Sequence, residues 1–202
     1  MTDTDNHHDT PLPGEQGNIK PKRRHKGLTV LVIGIVMGAV LWGGFDATIK
    51  VTNREEFCIS CHELRQTVYM EYLESSHNSN RTGIRATCSD CHVPREGFPK
   101  LIRKVQASND VYHHFLGTID TEEKFEARRL QLAERVWKRM KETDSRECRS
   151  CHDADAMDYV RQGYRSMSQH IHGLDSGETC IDCHKGIVHQ LPHKIAHKMA
   201  QE

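Results

Sequence analysis

All eight cysteines of this chain fall into one five-residue pattern, two cysteines separated by two residues and followed at once by histidine. The four copies are Cys58-Ile59-Ser60-Cys61-His62, Cys88-Ser89-Asp90-Cys91-His92, Cys148-Arg149-Ser150-Cys151-His152 and Cys180-Ile181-Asp182-Cys183-His184. The pattern is the attachment motif of c-type haem. Its chemistry sets the spacing: two thiols add across the two vinyl groups of one porphyrin, and the adjacent imidazole reaches the iron as its proximal ligand. Paired CxxC motifs also hold zinc, and a single one can serve thiol redox exchange, but neither use demands histidine at the fifth position. Four complete copies predict four covalently bound c-type haems, with every cysteine an attachment point and His62, His92, His152 and His184 on the irons.

A second axial ligand decides whether an iron relays electrons or binds a substrate, so the histidines outside the motifs matter next. Beyond residue 46 they are His77, His113, His114, His170, His172, His189, His193 and His197. His77 lies eleven residues before Cys88 and His170 ten before Cys180, corresponding places ahead of the second and fourth motifs. A shared ligand role would produce that recurrence. His189 follows His184 by five residues and has no histidine counterpart after His92, where the chain offers Lys100, Lys104, His113 and His114. We expect His77, His189 and His170 as second ligands, His77 crossing to the fourth motif and His189 reaching back to the third. Other histidines, among them His193, His197, His7, His8 and His25, are read as solvated. Lys104 shares a helical face with Leu101 and Val105 near where an iron would need a partner.

These side chains need elements to carry them. Residues 27–45, GLTVLVIGIVMGAVLWGGF, are nineteen residues without a charge. At about 1.5 Å per residue in a helix, such a run just spans the hydrocarbon core of a bilayer. Lys20, Lys22, Arg23, Arg24 and Lys26 precede it, so the positive-inside rule keeps residues 1–26 in the cytoplasm and exports residues 46–202. A cleaved secretory signal is the alternative, but the run exceeds a usual h-region and no clear small-x-small site follows. The expectation is an uncleaved anchor in the bacterial inner membrane, with lipid around it and the motifs in the periplasm, where covalent haem attachment takes place.

Composition agrees with a core built partly from something other than side chains. Apolar residues make up 36% and aromatics 6%, and much of the apolar share sits in the anchor, which leaves little for a conventional core. Porphyrin faces would supply the missing surface. The 28 basic and 28 acidic side chains cancel, so nothing points to nucleic acid.

The exported part carries an internal repeat. First and third motifs are preceded by glutamate, second and fourth read Thr-Cys-x-Asp-Cys-His, and the first cysteines are 30, 60 and 32 residues apart. Two di-haem modules, residues 46–117 and 145–192, joined by a connector, account for this. The connector is helical by pattern. Pro99 suits a first turn, Leu101, Ile102, Val105, Val111, Tyr112 and Phe115 mark one face, and Gly117 supports a stop. Asp120 with Glu123 then resembles a capping box for a second amphipathic helix running to about Asp144. Strand signals are weak, so the fold class expected is mainly α: one transmembrane helix and a loop-rich multihaem cytochrome c domain.

The anchor followed by Glu56-Phe-Cys-Ile-Ser-Cys-His62, His77-Asn-Ser-Asn-Arg-Thr-Gly83, Cys88-Ser-Asp-Cys-His-Val-Pro94, Gln106-Ala-Ser108, Gly117-Thr-Ile-Asp-Thr121, Lys124-Phe-Glu-Ala-Arg-Arg129 and Cys180-Ile-Asp-Cys-His-Lys-Gly-Ile-Val-His189 closely resembles the NapC/NirT family of membrane-anchored tetrahaem cytochromes. The resemblance covers nearly the whole chain after the tail. It implies a quinol dehydrogenase that takes electrons from membrane quinol and passes them to a soluble periplasmic reductase, nitrate reductase being favoured over one for nitrite or trimethylamine oxide. In related nitrite-reductase partner subunits, a methionine two residues after the first motif histidine binds the first haem. Here that position is Leu64, which has no ligating atom and leaves His62 as proximal ligand. The lysine and aspartate that line the quinol side in those relatives best match Lys104 and Asp110. A carboxylate there fits the chemistry, because quinol oxidation releases protons together with electrons. The rival from another class is a haem enzyme that reduces a nitrogen oxyanion itself, which needs an open distal site walled by polar groups.

Overall fold

The structure is a computed structural model, and it describes residues 24–95 and 97–192. The expectations for residues 1–23, His193 and His197 lie outside the described residues. The chain divides into two units, one ending at Ala47 and one beginning at Thr48.

The first unit is essentially one helix, α1 (Arg24–Val51), whose last turn belongs to the second unit. Residues 26–45 are exposed all round, including Leu31, Ile35, Val40 and Trp42. Over its most apolar 18 residues the helix Lys26–Val51 has a mean hydropathy of 2.2, long and apolar enough to cross a membrane. It continues six residues past the uncharged run because Asp46-Ala-Thr-Ile-Lys-Val holds neither glycine nor proline, and Lys50 complements the carbonyl end.

The second unit is helical, with no strand among the described residues. Its elements are α2 (Glu55–Cys58), α3 (His62–Gln66), α4 (Val68–Glu74), α5 (Cys88–His92), α6 (Gly97–Phe115), α7 (Glu122–Glu142), α8 (Arg146–Arg149), a 3₁₀ turn (Tyr159–Gln162), α9 (Tyr164–Asp175) and α10 (Cys180–Cys183). Each motif lies on or against a single helical turn. The Thr-Cys-x-Asp repeat has a local cause in capping boxes. Thr87 N–H donates to Asp90 Oδ2 at 2.8 Å and Thr179 N–H to Asp182 Oδ2 at 2.9 Å, each hydroxyl bonding the same carboxylate. These boxes wind α5 and α10 around the second and fourth motifs.

The two long helices lie in the connector. Gly117, at a φ of 69°, ends α6, with its N–H on His114 O at 2.9 Å. The helix start expected at Asp120 moves by one residue: Thr121 is the N-cap of α7, accepting from Lys124 N–H at 3.3 Å, and Asp120 instead binds Lys124 Nζ at 2.7 Å. The helix also ends at Glu142, short of Asp144, because Asp144 and Ser145 turn to positive φ. Ser145 is fully buried there, and its Oγ accepts the Ile181 N–H at 3.1 Å, joining the end of α7 to α10.

Among the described residues the buried large apolar side chains are Tyr72, Phe125 and Ile181, the small protein core that the composition implies. Helix α7 packs against α3 and α10 and organises the rest. From it Arg129 reaches both oxygens of Glu71 on α4, at 2.7 and 2.6 Å, and the carbonyl of Gln190 at 2.9 Å, while Gln190 N–H returns to Glu71 at 2.9 Å. This charged, half-buried knot fixes the segment after α10 against α4 and α7. The outer face of α6 stays uncovered, with Phe98, Ile102, Val105, Tyr112 and Phe115 exposed.

Candidate haem-binding histidine pairs

The packing brings a second histidine to every motif histidine. His62 faces His114, His92 faces His189 and His152 faces His77, each with ring centroids 6.2 Å apart, while His184 faces His170 at 5.8 Å. Imidazole bonds to a first-row metal are about 2 Å long, and two of them with the roughly 1 Å from each ring centre to its nitrogen total about 6 Å. The ring spacing therefore matches two axial ligands on one iron. In the fourth pair the approach is atom to atom: His170 Nδ1 donates to Gln162 Oε1 at 2.6 Å, which leaves its Nε2 directed at His184 Nε2, 3.5 Å away.

The electrostatics of these rings suit a metal. Burial pushes His92 down to about 3, with repulsion from His189, Arg103 and Arg139 adding to it. Burial also pushes His77 down, aided by His152, and pushes His189 down against the pull of the Glu71 carboxylate. Neutral imidazole is the form that ligates. The Nδ1 atoms of His77 and His189 are buried without a hydrogen-bond partner.

Two guanidiniums flank the second pair. Arg103 Nε donates to His92 O at 3.1 Å, and burial together with Arg103 pushes Arg139 down, its Nη2 buried and unpartnered. The Asp110 and Glu147 carboxylates pull Arg139 back the other way.

The thiols also form a sequence of neighbours. Helix α2 packs on α5 and α5 on α8, so Cys58 lies within electrostatic reach of Cys88 and Cys91 of Cys148 and Cys151, while Cys148 lies within reach of Cys180. Motifs one to four thus follow each other in space in chain order.

The pairings differ from those the repeat suggested. His77 does cross to the other module, but it meets the third motif and not the fourth, because α5 packs on α8 and brings the second and third motifs together. His189 meets the second motif and not the third, because the Arg129–Glu71–Gln190 knot folds its segment back over α4. His170 stays within its own module although its place in the repeat corresponds to that of His77. His113 is engaged by Thr118 at 2.9 Å and His172 is exposed. His114 stands out only in three dimensions, since no spacing in the sequence links it to His62.

The two residues expected near quinol separate. Lys104 Nζ donates to Thr52 O at 2.8 Å and Thr52 Oγ1 at 2.9 Å, and burial pushes its ammonium down while the nearby Cys58 pulls it back. Asp110, six residues on and so about 240° round the helix, faces Arg103 at 3.8 Å with its side chain 55% exposed.

Comparison with known proteins places this arrangement. Residues 20–194 match the NapC/NirT cytochrome c family, N-terminal region. The chain is 54% identical to the cytochrome c-type protein NapC of Escherichia coli K12 over 164 residues, 81% of this chain and 82% of that one. It is 52% identical over 173 residues to the denitrification system component NirT of Stutzerimonas stutzeri, covering 86% of each. Identity is also 52% over 169 residues to a putative tetraheme c-type cytochrome of Allochromatium vinosum, covering 83% of this chain and 91% of that one. The matched span holds all four motifs and all four histidine pairs, and the chain belongs to the NapC/NirT cytochrome c family of electron-transfer proteins.

Proposed function

We propose that this protein oxidises membrane quinol and relays the electrons to a soluble periplasmic reductase, nitrate reductase being the favoured partner. The observation that carries this reading is the histidine facing every motif histidine, which leaves no pair with room for an oxyanion substrate and so supports relay over direct reduction. Bound haems would supply reversible one-electron chemistry. Cys58, Cys61, Cys88, Cys91, Cys148, Cys151, Cys180 and Cys183 would hold them covalently, with His62, His92, His152 and His184 below the irons. His189, His77 and His170 would close the second, third and fourth sites in that order. The basic flank supports an inner-membrane anchor with residues 46–202 in the periplasm.

Quinol would bind beside the first motif. An ammonium has three donors, and Lys104 gives two to Thr52, so the third is free for a quinol oxygen. Exposed Leu101 and Val105 on the same face offer an apolar surface to a lipid-soluble ring. Asp110 lies on another side of α6 from Lys104, so it would receive the released proton through water and not directly from the quinol oxygen on Lys104. Asp110→Asn removes the base but keeps the size, and it is expected to slow reduction by a quinol analogue on the order of a hundredfold. Lys104→Ala is expected to weaken quinol binding, and dithionite should reduce both variants fully. Normal rates with quinol in both variants would put the site elsewhere. The 52% identity to NirT, a denitrification system component, favours a second reading in which the same relay serves a nitrite reductase.

A further inference from the structure

We propose that His114 is the second axial ligand of the first haem and that Glu63 is the positioning residue that holds it there. The proposal rests on reading His62 as that haem's proximal ligand, and it supplies a partner for a site to which the sequence assigned none.

Three observations converge on the pair. The ring centroids of His62 and His114 are 6.2 Å apart, the separation also found for His92 with His189 and for His152 with His77. Glu63, next in the chain to His62, is only 2% exposed, and its Oε1 accepts from His114 Nδ1 at 2.8 Å. Its Oε2 is buried with no hydrogen bond, 3.8 Å from His62 Nδ1. A carboxylate acceptor places the imidazole proton on Nδ1 and leaves the Nε2 lone pair free for a metal, the usual support for a ligating histidine. Helix α6 fixes the backbone, because His114 sits in its last turn and its carbonyl accepts the Gly117 N–H at 2.9 Å.

Two plainer readings compete. Glu63 and His114 could form only a buried link between α3 and α6, worth its own hydrogen bond and nothing more. Alternatively, ligand atoms of Cys61, Glu63 and His114 lie within 4.8 Å of one another, a spacing that also suits a small metal ion. The first reading does not explain why this ring repeats the spacing of two other motif pairs. The second needs the Cys61 thiol, which haem attachment consumes.

A functional consequence follows. With His62 and His114 on opposite sides, the first iron is closed to substrate, and quinol gives up its electrons without binding the metal. Lys104 and His114 both come from α6, about 15 Å apart along it, so one helix carries the quinol contact and the ligand for the same site.

His114→Met in the full-length holoprotein tests this without removing a ligating group. The expected result is a methionine-ligated low-spin ferric spectrum in one haem of four, with three unchanged. Glu63→Gln should keep every haem low-spin yet move one midpoint potential upward, because the carboxylate's charge no longer favours the ferric state through the imidazole. Four unchanged spectra in His114→Met, or an unchanged set of potentials in Glu63→Gln, overturns the proposal. Zinc lost together with Glu63 or His114 does so too. Haem stoichiometry measured on the same samples separates failure of this assignment from failure of the tetrahaem reading.

Discussion

In His77→Ala, one haem in four becomes five-coordinate and high-spin while all four remain attached, and the affected site is the third motif. The covalent bonds to Cys148 and Cys151 and the ligand His152 are untouched, so the haem stays when its opposite ligand goes. The ring lost is the one 6.2 Å from His152. Alanine also deletes a half-buried imidazole, so some loss of stability accompanies the spectral change, but the spin state reads the ligand directly. His189→Ala should do the same at the second motif, through the ring stacked 6.2 Å from His92. Because the two sites are different irons, the double variant should show two high-spin haems and not one. His113→Ala and His172→Ala are the controls and should leave the spectrum low-spin. Magnetic circular dichroism of the ferric proteins reads all five variants, and unchanged low-spin spectra in both single variants would refute the assignment.

A larger effect is expected from cutting the chain of motifs in the middle. Cys88→Ala with Cys91→Ala should yield a protein that carries three haems, in which a quinol analogue reduces only the first promptly. Helix α2 of the first motif packs on α5 of the second, and α5 packs on α8 of the third, so the second motif is the bridge. Dithionite, which reaches each haem from solution, should still reduce all three. The equivalent double change at Cys180 and Cys183 removes the far end, and rapid quinol reduction of the first three haems should survive. Equal quinol reduction in both variants would show that electrons do not follow the spatial order of the motifs. Stopped-flow absorbance with each reductant distinguishes these outcomes.

Much of this was legible in the sequence, and the reasons are physical. Covalent attachment requires a fixed local spacing, so the eight cysteines and four motif histidines that we propose for it declare themselves without any fold. A membrane helix is set by length and hydropathy alone, which is why residues 27–45 were visible and α1 only extends them. The long helices α6 and α7 followed from periodicity, and their ends moved by one or two residues where Thr121 outcompeted Asp120 as cap and Asp144 turned to positive φ. The ligand pairings were harder because they join residues far apart in the chain. The repeat relates His77 to His170 in sequence, but an interface between α5 and α8 sends one to a foreign motif while the other stays at home. His114 and Glu63 had no local pattern at all, since 51 residues separate them and a helix must fold back before they meet.

The most direct test of the account is the intact mass and metal content of the purified full-length protein. A mass equal to the polypeptide plus four covalent haems, with four irons per chain and no zinc, is the result expected from four complete motifs. Fewer than four attached haems in a fully matured preparation, or zinc held by these cysteines in their place, would contradict it.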